Sequence, residues 1–415
     1  MPPTHWDTGN IAFMLVSTSL VMLMTPGLAF FYGGLVGRKN VLTIMIQSFV
    51  SMGVTTVLWV VCGYSMAFSG SYGDPVNPDI GGVIGNFHMA FLHGVTATTP
   101  FPASPTIPLV VFIAYQMMFA QITPALITGA FANRVTFKAY LLFLVAWLLL
   151  VYFPVAHMVW GGGILQKHGV LDFAGGIVVH ATAGFAALAA VFYVGKRRVA
   201  DAGLHSIPLV ALGTGLLWFG WYGFNAGSEL KVDPVTSQAF LNTDIAASVA
   251  AMTWLILAWS IEKKPKFVGL LTGSIAGLAA VTPAAGYVTL DTAVLIGIGA
   301  GTVCYYAVWL KNKLQWDDAL DVWGVHGVGG MLGVISLAIF ANKLVNPDGG
   351  ADGLLRGGTE FFMKEVGAVV GAAAYAFIFT YIMLRVIDAI TAVKVTPADE
   401  EMGLDQSQHG EQAYI

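Results

Sequence analysis

Two histidines carry the strongest chemical signal in this chain. His180 stands in His180-Ala181-Thr182-Ala183-Gly184 and His326 in His326-Gly327-Val328-Gly329-Gly330, each inside a long run of small and apolar residues. Imidazole titrates near neutral pH, and its two ring nitrogens can accept one hydrogen bond while donating another. Both segments read His-x-x-x-Gly. A buried histidine bonded to a backbone carbonyl would explain either one alone; the matched pair points to a shared role with a proton or a polar ligand. Metal binding is the other chemistry open to histidine. Two of them supply half of a four-ligand shell, and no carboxylate or cysteine stands one helical turn from either. Metal is the weaker reading.

Asp172 precedes the first of these histidines in Leu171-Asp172-Phe173-Ala174-Gly175-Gly176. A carboxylate just before an apolar helical run reads as an N-cap, accepting from free backbone N–H groups. Its fixed negative charge would also lower the cost of a cation nearby. Three aromatic residues stand beside glycine or hydroxyl residues. Trp160 precedes Gly161-Gly162-Gly163, Phe119 ends Tyr115-Gln116-Met117-Met118-Phe119, and Phe224 falls in Gly223-Phe224-Asn225-Ala226-Gly227-Ser228. Packing or an interfacial aromatic belt accounts for most such rings. The alternative is an aromatic cage for a small cation, whose charge the ring faces attract.

These residues need a scaffold, and composition names its class. Of 415 residues 57% are hydrophobic and 10% charged, against about 25% charged in soluble domains. Mean hydropathy is +0.75, and no lysine or arginine occurs between Lys39 and Arg134. A net charge of −4 gives no reason to expect nucleic acid as a partner. A cytosolic enzyme, a disulfide-built secreted domain and a nucleic-acid binder are excluded. Cys62 and Cys304 lie in apolar runs and read as small packing residues. The amino terminus lacks a basic n-region, and its apolar stretch is too long for a cleaved signal, so it reads as the first span.

A spanning helix needs about 20 mostly apolar residues. The chain offers eleven: 10–36, 41–68, 107–131, 139–162, 174–195, 205–227, 240–261, 267–286, 290–310, 322–341 and 366–390. The expected fold is thus all-α and polytopic, embedded in a lipid bilayer. Placing the loops alternately puts 14 basic residues on one side and 5 on the other, which predicts an outside N-terminus and a cytoplasmic C-terminus. Residues 1–390 form the transmembrane domain, and 391–415 a polar cytoplasmic tail. Residues 10–195 and 205–341 read as two five-helix halves, the second inverted, with 366–390 as the extra eleventh helix. The His-x-x-x-Gly segments fall at corresponding places in the two halves. Four small-xxx-small pairs, Gly273/Gly277, Gly297/Gly301, Gly329/Gly333 and Gly367/Gly371, predict close helix packing.

Together these motifs resemble the ammonium transporter (Amt/Rh) family over essentially the whole chain. The carriers are Pro26-Gly27-Leu28-Ala29-Phe30-Phe31-Tyr32-Gly33-Gly34, the run from Ala156-His157-Met158-Val159-Trp160 through Asp172 to His180, Phe224 through Ser228, and Asp317-Asp318-Ala319-Leu320-Asp321 leading to His326. Gly403-Leu404-Asp405 and His409-Gly410-Glu411 add the tail. Ser228 favours the Amt branch. Met117 and Met118 depart mildly from the smaller residues expected beside the gate.

The resemblance implies eleven helices in two inverted halves and a homotrimer with one pore per subunit. It implies ammonium or ammonia as the substrate, with methylammonium as a further candidate, no cofactor, and no enzymatic reaction. Trp160, Phe119 and Ser228 would form an outer recruitment site, Phe119 and Phe224 a stacked gate, and His180 and His326 the pore centre. Asp172 would support the recruitment site from behind. A PII-type regulatory protein would meet the cytoplasmic face. The rival classes are an ammonium sensor without substantial flux, a carbon dioxide or water channel, and a membrane metalloenzyme.

Overall fold

In lipid every backbone N–H and C=O must find its partner within the segment, so long apolar runs become helices. The structure, a computed structural model, describes residues 6–70, 78–199 and 203–414. Residues 1–5 at the expected outside terminus and 71–77 of the long loop after the second span lie outside the described residues. The helices are α1 (Thr8–Leu35), α2 (Arg38–Phe68), α3 (Leu109–Phe131), α4 (Phe137–Lys167), α5 (Gly176–Val194), α6 (Ile207–Glu229), α7 (Pro234–Glu262), α8 (Phe267–Val281), α9 (Leu290–Lys313), α10 (Trp323–Phe340) and α11 (Thr359–Ile390). Among the described residues ten are long and apolar enough to cross a membrane; α8 is a shorter apolar helix. The chain is an all-α polytopic membrane protein.

The short α8 replaces the expected span 267–286, and its end has a local cause. Pro283 has no N–H to continue the ladder, and the chain turns there while staying buried. Two carbonyls of the buried turn that follows are satisfied from α7: Asn242 Nδ2 donates to Ala285 and Val288, both at 2.8 Å. Helix starts follow ordinary capping chemistry. Asp7 accepts from the Asn10 amide at 2.8 Å, and Asp233 and Thr236 form a capping box at α7, with Pro234 in its first turn. The eleventh helix begins at Thr359, seven residues before the expected 366.

Helices α5 and α10 cross at the centre through their glycines. A Cβ on Gly184 would fall 2.1 Å from the Gly327 backbone, and one on Gly330 would fall 2.8 Å from the His180 Cβ. Each His-x-x-x-Gly glycine thus rests on the histidine turn of the other helix. Both histidines lie in π-helical turns, Gly176–Ala181 and Trp323–Gly327. Gly273, Gly277, Gly297 and Gly301 pack against α7, and Gly333 against the Ala280 carbonyl of α8. Gly367 and Gly371 meet nothing within 4 Å in this subunit, so the expected close packing for that pair is not made between helices of one chain. The spacing of small residues alone does not say which helix face has a neighbour.

The tail crosses the end of the bundle that carries Asp318. The Asp405 carboxylate accepts from the Leu42 and Thr43 amides at 3.0 and 2.7 Å, and the Thr136 amide donates to Val393 O at 2.9 Å. At the opposite end a two-stranded hairpin, β1 (Pro100–Phe101) and β2 (Ser104–Pro108), leans on the α6–α7 loop through Ser104 Oγ and Leu230 O at 3.0 Å.

Candidate functional site

Asp172 organises one mouth of the bundle. It is 5% exposed, and its carboxylate accepts from the amides of Gly175, Gly176, Ile177 and Val178 at 2.6–3.1 Å. Four otherwise unpaired N–H groups at the start of α5 are satisfied by one side chain. Burial pushes this carboxyl up while the four N–H groups pull it down, leaving it at about 6. The Asp172 backbone carbonyl accepts from the Trp160 indole N–H at 2.7 Å. Trp160 also lies against Gly175, whose φ of +122° suits glycine and few other residues.

Trp160 opens onto a vestibule of about 380 Å³, also lined by Phe119, Gln116, Ser228, Glu229, Lys231 and Asp172. Phe119 meets Trp160 edge-on, with centroids 5.9 Å apart. Ser228 is fixed by two contacts, donating to Phe224 O at 2.9 Å and lying 3.2 Å from the Tyr115 hydroxyl. The vestibule floor is Phe119 stacked on Phe224 at 4.2 Å and 30°. Phe224 lies beneath Phe119 and lines the next cavity instead of the vestibule. The expected aromatic cage of three rings is therefore two rings and a hydroxyl above, with the third ring below.

Under the stack is a narrow cavity, about 10 Å³ for the centre of a water-sized molecule, lined by Met24, Leu28, Phe31, Ile122, Leu126, Val179, Leu217, Ile275, Trp221, Phe224, His180 and His326. Its polar side chains are the two histidines and Trp221, whose indole N–H already donates to Thr282 Oγ1 at 2.9 Å. The histidines meet Nδ1 to Nδ1 at 3.3 Å with rings 22° from parallel, so one nitrogen donates and the other accepts. His180 Nε2 has no hydrogen-bond partner among the described residues. His326, Phe31 and Ile275 also line a third cavity that continues toward the Asp318 end. The second and third cavities thus share lining residues, and the Phe119–Phe224 stack stands between the vestibule and the second.

The sequence of Asp172 and His180 recurs at that end. Asp318, eight residues before His326 as Asp172 is before His180, accepts from the Val322 and Trp323 amides at 3.1 and 2.8 Å. Burial pushes its carboxyl up to about 6.

The profile of the Ammonium Transporter Family matches residues 12–414. This chain belongs to the ammonium transporter family. Amt1 of Archaeoglobus fulgidus, an ammonium transporter, is 44% identical over 409 residues, covering 98% of this chain and 99% of its own. The crystal structure of Candida albicans Mep2 superposes with a TM-score of 0.87 at 35% identity, over 99% of this chain and 91% of that one. A solved structure described as a sensor Amt protein gives a TM-score of 0.86 at 28% identity, over 97% of this chain and 98% of that one.

In this family member Phe119, Trp160, Asp172 and Ser228, singled out by sequence, line the vestibule, and His180, Phe224 and His326 line the cavity beneath it. Several residues that hold them in place were missed. Tyr115 donates to Gly223 O and Phe224 O at 2.8 and 2.9 Å. Asn225 Nδ2 donates to Thr243 Oγ1, and Thr282 Oγ1 donates to Asn225 Oδ1, which joins α6, α7 and α8 behind the stack. Each of these is an isolated polar residue inside an apolar stretch, which marks it without saying what it holds. Met118 is buried and Met117 packs at its side, so the two larger residues fit behind Phe119.

Proposed function

We propose that this protein moves ammonium across the cell membrane by binding the cation at the Trp160 mouth, removing its proton near the rings, and passing neutral ammonia. The observation that carries this reading is the change of chemistry across the Phe119–Phe224 stack: two ring faces and a hydroxyl above, and an almost wholly apolar cavity with two hydrogen-bonded histidines below.

The energetics favour that order. A cation facing Trp160 and Phe119 gains from their ring quadrupoles, and the Asp172 charge behind Trp160 adds to the attraction. Ammonium titrates between an α-amino group and lysine, roughly two units above neutral, so losing its proton costs about 3 kcal/mol. Carrying the charge through the apolar cavity costs about 3 to more than 10 kcal/mol. Deprotonation competes at the low figure and wins at the high one. Below the stack, neutral ammonia finds a free acceptor or donor at His180 Nε2 and at His326. Potassium and sodium have no proton to lose and meet the full charge penalty.

The distribution of basic residues supports a Trp160 mouth facing outward and an Asp318 end, with the tail, in the cytoplasm. A homotrimer with one pore per chain agrees with Asp244 of α7, partly exposed in mid-span and bonded to Trp218 and Tyr222 of α6, a carboxylate that lipid would not tolerate. The tail face, with its ordered strap, is the docking place expected for a PII-type regulator. Methylammonium, which keeps a removable proton, fits the same chemistry.

Reconstituted vesicles under an ammonium gradient, with current and flux recorded together, test the reading. Ammonium flux with exclusion of potassium supports it. Saturable binding without flux would instead make this chain a sensor, and equal passage of carbon dioxide or water a gas channel.

A further inference from the structure

Helix α11 carries a glutamate where a membrane helix can least accommodate one. Glu365 is 0% exposed, whereas Glu360, one turn earlier, is exposed and paired with Lys364. A buried carboxyl without ionic compensation is costly, and such groups are retained for a reason. Among the described residues its one hydrogen bond is to the loop before α5: Oε1 accepts from the Leu171 amide at 2.5 Å. Oε2 has no partner among the described residues. Everything the side chain does by hydrogen bonding is therefore done at Leu171.

The next residue is Asp172, whose carbonyl carries the Trp160 indole and whose carboxylate carries the start of α5. The segment 171–172 is thus held from α11 on one side, from α5 on another, and in turn holds Trp160. We infer that Glu365 is a positioning residue for the outer ammonium site, fixing the Leu171–Asp172 backbone and through it the orientation of the Trp160 ring. The helix outside the two five-helix halves thereby locks the loop that sets the substrate-binding aromatic. This inference rests on the proposed recruitment role of Trp160.

A bond made at Oε1 alone has a distinctive signature, because glutamine keeps that acceptor and removes the charge. The test measures initial ammonium uptake against concentration in vesicles holding the full chain. Glu365→Gln keeps the half-saturating concentration to within about twofold of the parent, and Glu365→Ala raises it about tenfold while maximal flux changes less than about twofold. In a Trp160→Leu background, Glu365→Ala adds less than about twofold, because the residue it positions is already gone. If Glu365→Ala is not recovered folded, Glu365→Asp, one methylene too short to reach Leu171, replaces it with the same expectation.

An unchanged half-saturation in Glu365→Ala or Glu365→Asp overturns the inference. So does a Glu365→Gln protein as impaired as the alanine variant, or a full additional loss in the Trp160→Leu background. If Trp160→Leu itself leaves half-saturation unchanged, the recruitment reading falls, and this inference falls with it.

Discussion

Gly184 of α5 lies on Gly327 of α10 so closely that a Cβ on Gly184 would stand 2.1 Å from the Gly327 nitrogen and Cα. Backbone on backbone leaves no flexible side chain to move aside. The contact brings the two histidine turns together and sets the 3.3 Å separation of the Nδ1 atoms.

Gly184→Ala is accordingly expected to destabilise the protein by about 1–3 kcal/mol, the range seen for overpacking, and to part the histidines. Thermal unfolding in detergent, read with ammonium uptake, measures both. Gly367→Ala, with nothing within 4 Å of its Cβ position, is the matched control. Removing a glycine from an exposed helix interior should stabilise by about 0.5–1 kcal/mol. Equal effects of the two substitutions would contradict the packing argument.

Much of this arrangement was legible because the membrane simplifies the sequence. Where nearly every residue is apolar, His180, His326 and Asp172 stand out as residues whose burial must be compensated. The spacing of Asp172 to His180 recurs in Asp318 to His326, but Asp317 and Asp321 on either side obscured it. Glu365, Asn225 and Tyr115 were not legible, since a polar residue in an apolar run does not say which distant chain segment satisfies it; Glu365 and Leu171 are 194 positions apart. The short α8 was missed for a related reason. Hydropathy continues through 282–286, and Pro283 alone does not announce a stop, since Pro26 and Pro124 stand inside α1 and α3.

The histidine pair yields a second prediction. Replacing both His180 and His326 with leucine removes the hydrogen-bonding groups from the middle cavity and leaves it apolar. Ammonium flux should fall at least about tenfold, a loss of two ordinary hydrogen bonds, and the preference for ammonium over potassium should weaken. Paired ammonium and potassium flux measurements check this. Intact selectivity in the double variant would remove the proton-handling role from these residues.

Asp317 links the tail end of the bundle to acid stability. It bonds Arg197, with Nη2 to Oδ1 at 2.6 Å, and Arg134, with Nη1 to Oδ2 at 3.3 Å. Burial pushes its carboxyl up, but the two guanidinium groups more than reverse this and bring it to about 2. Because the folded form holds its proton less tightly than the unfolded chain, its contribution is complete above about pH 4. It disappears as pH falls toward 2. Thermal unfolding temperature should therefore drop across that interval, and Asp317→Asn should lower it at neutral pH and flatten this part of the profile. Removing the carboxylate also leaves Arg134, which is 3% exposed, with backbone carbonyl partners but without this ion pair, so the neutral-pH loss should exceed that of a surface ion pair. A variant with the parent's slope between pH 4 and 2 would assign the acid sensitivity to other groups.

Trp160 and Ser228 provide the most direct reading of substrate recognition. Trp160 presents a ring already oriented by Asp172 O, and Ser228 presents a hydroxyl held between Phe224 O and the Tyr115 hydroxyl. A cation over a partly desolvated ring gains about 1–2 kcal/mol, and a hydrogen bond to a charged ligand about 1.5–3 kcal/mol. Trp160→Leu and Ser228→Leu together should raise the half-saturating ammonium concentration by at least about two orders of magnitude at neutral pH. Maximal flux should change much less, because the path below Phe119 and Phe224 is untouched. Each single substitution should give part of the effect, and concentration-dependent uptake in vesicles resolves the three. An unchanged half-saturation in the double variant would move recruitment elsewhere in the vestibule, where Glu229 and Asp348 already hold the Lys231 ammonium at 3.4 and 3.6 Å. In that case neutralising those carboxylates, with Trp160 left in place, would become the substitution that weakens uptake.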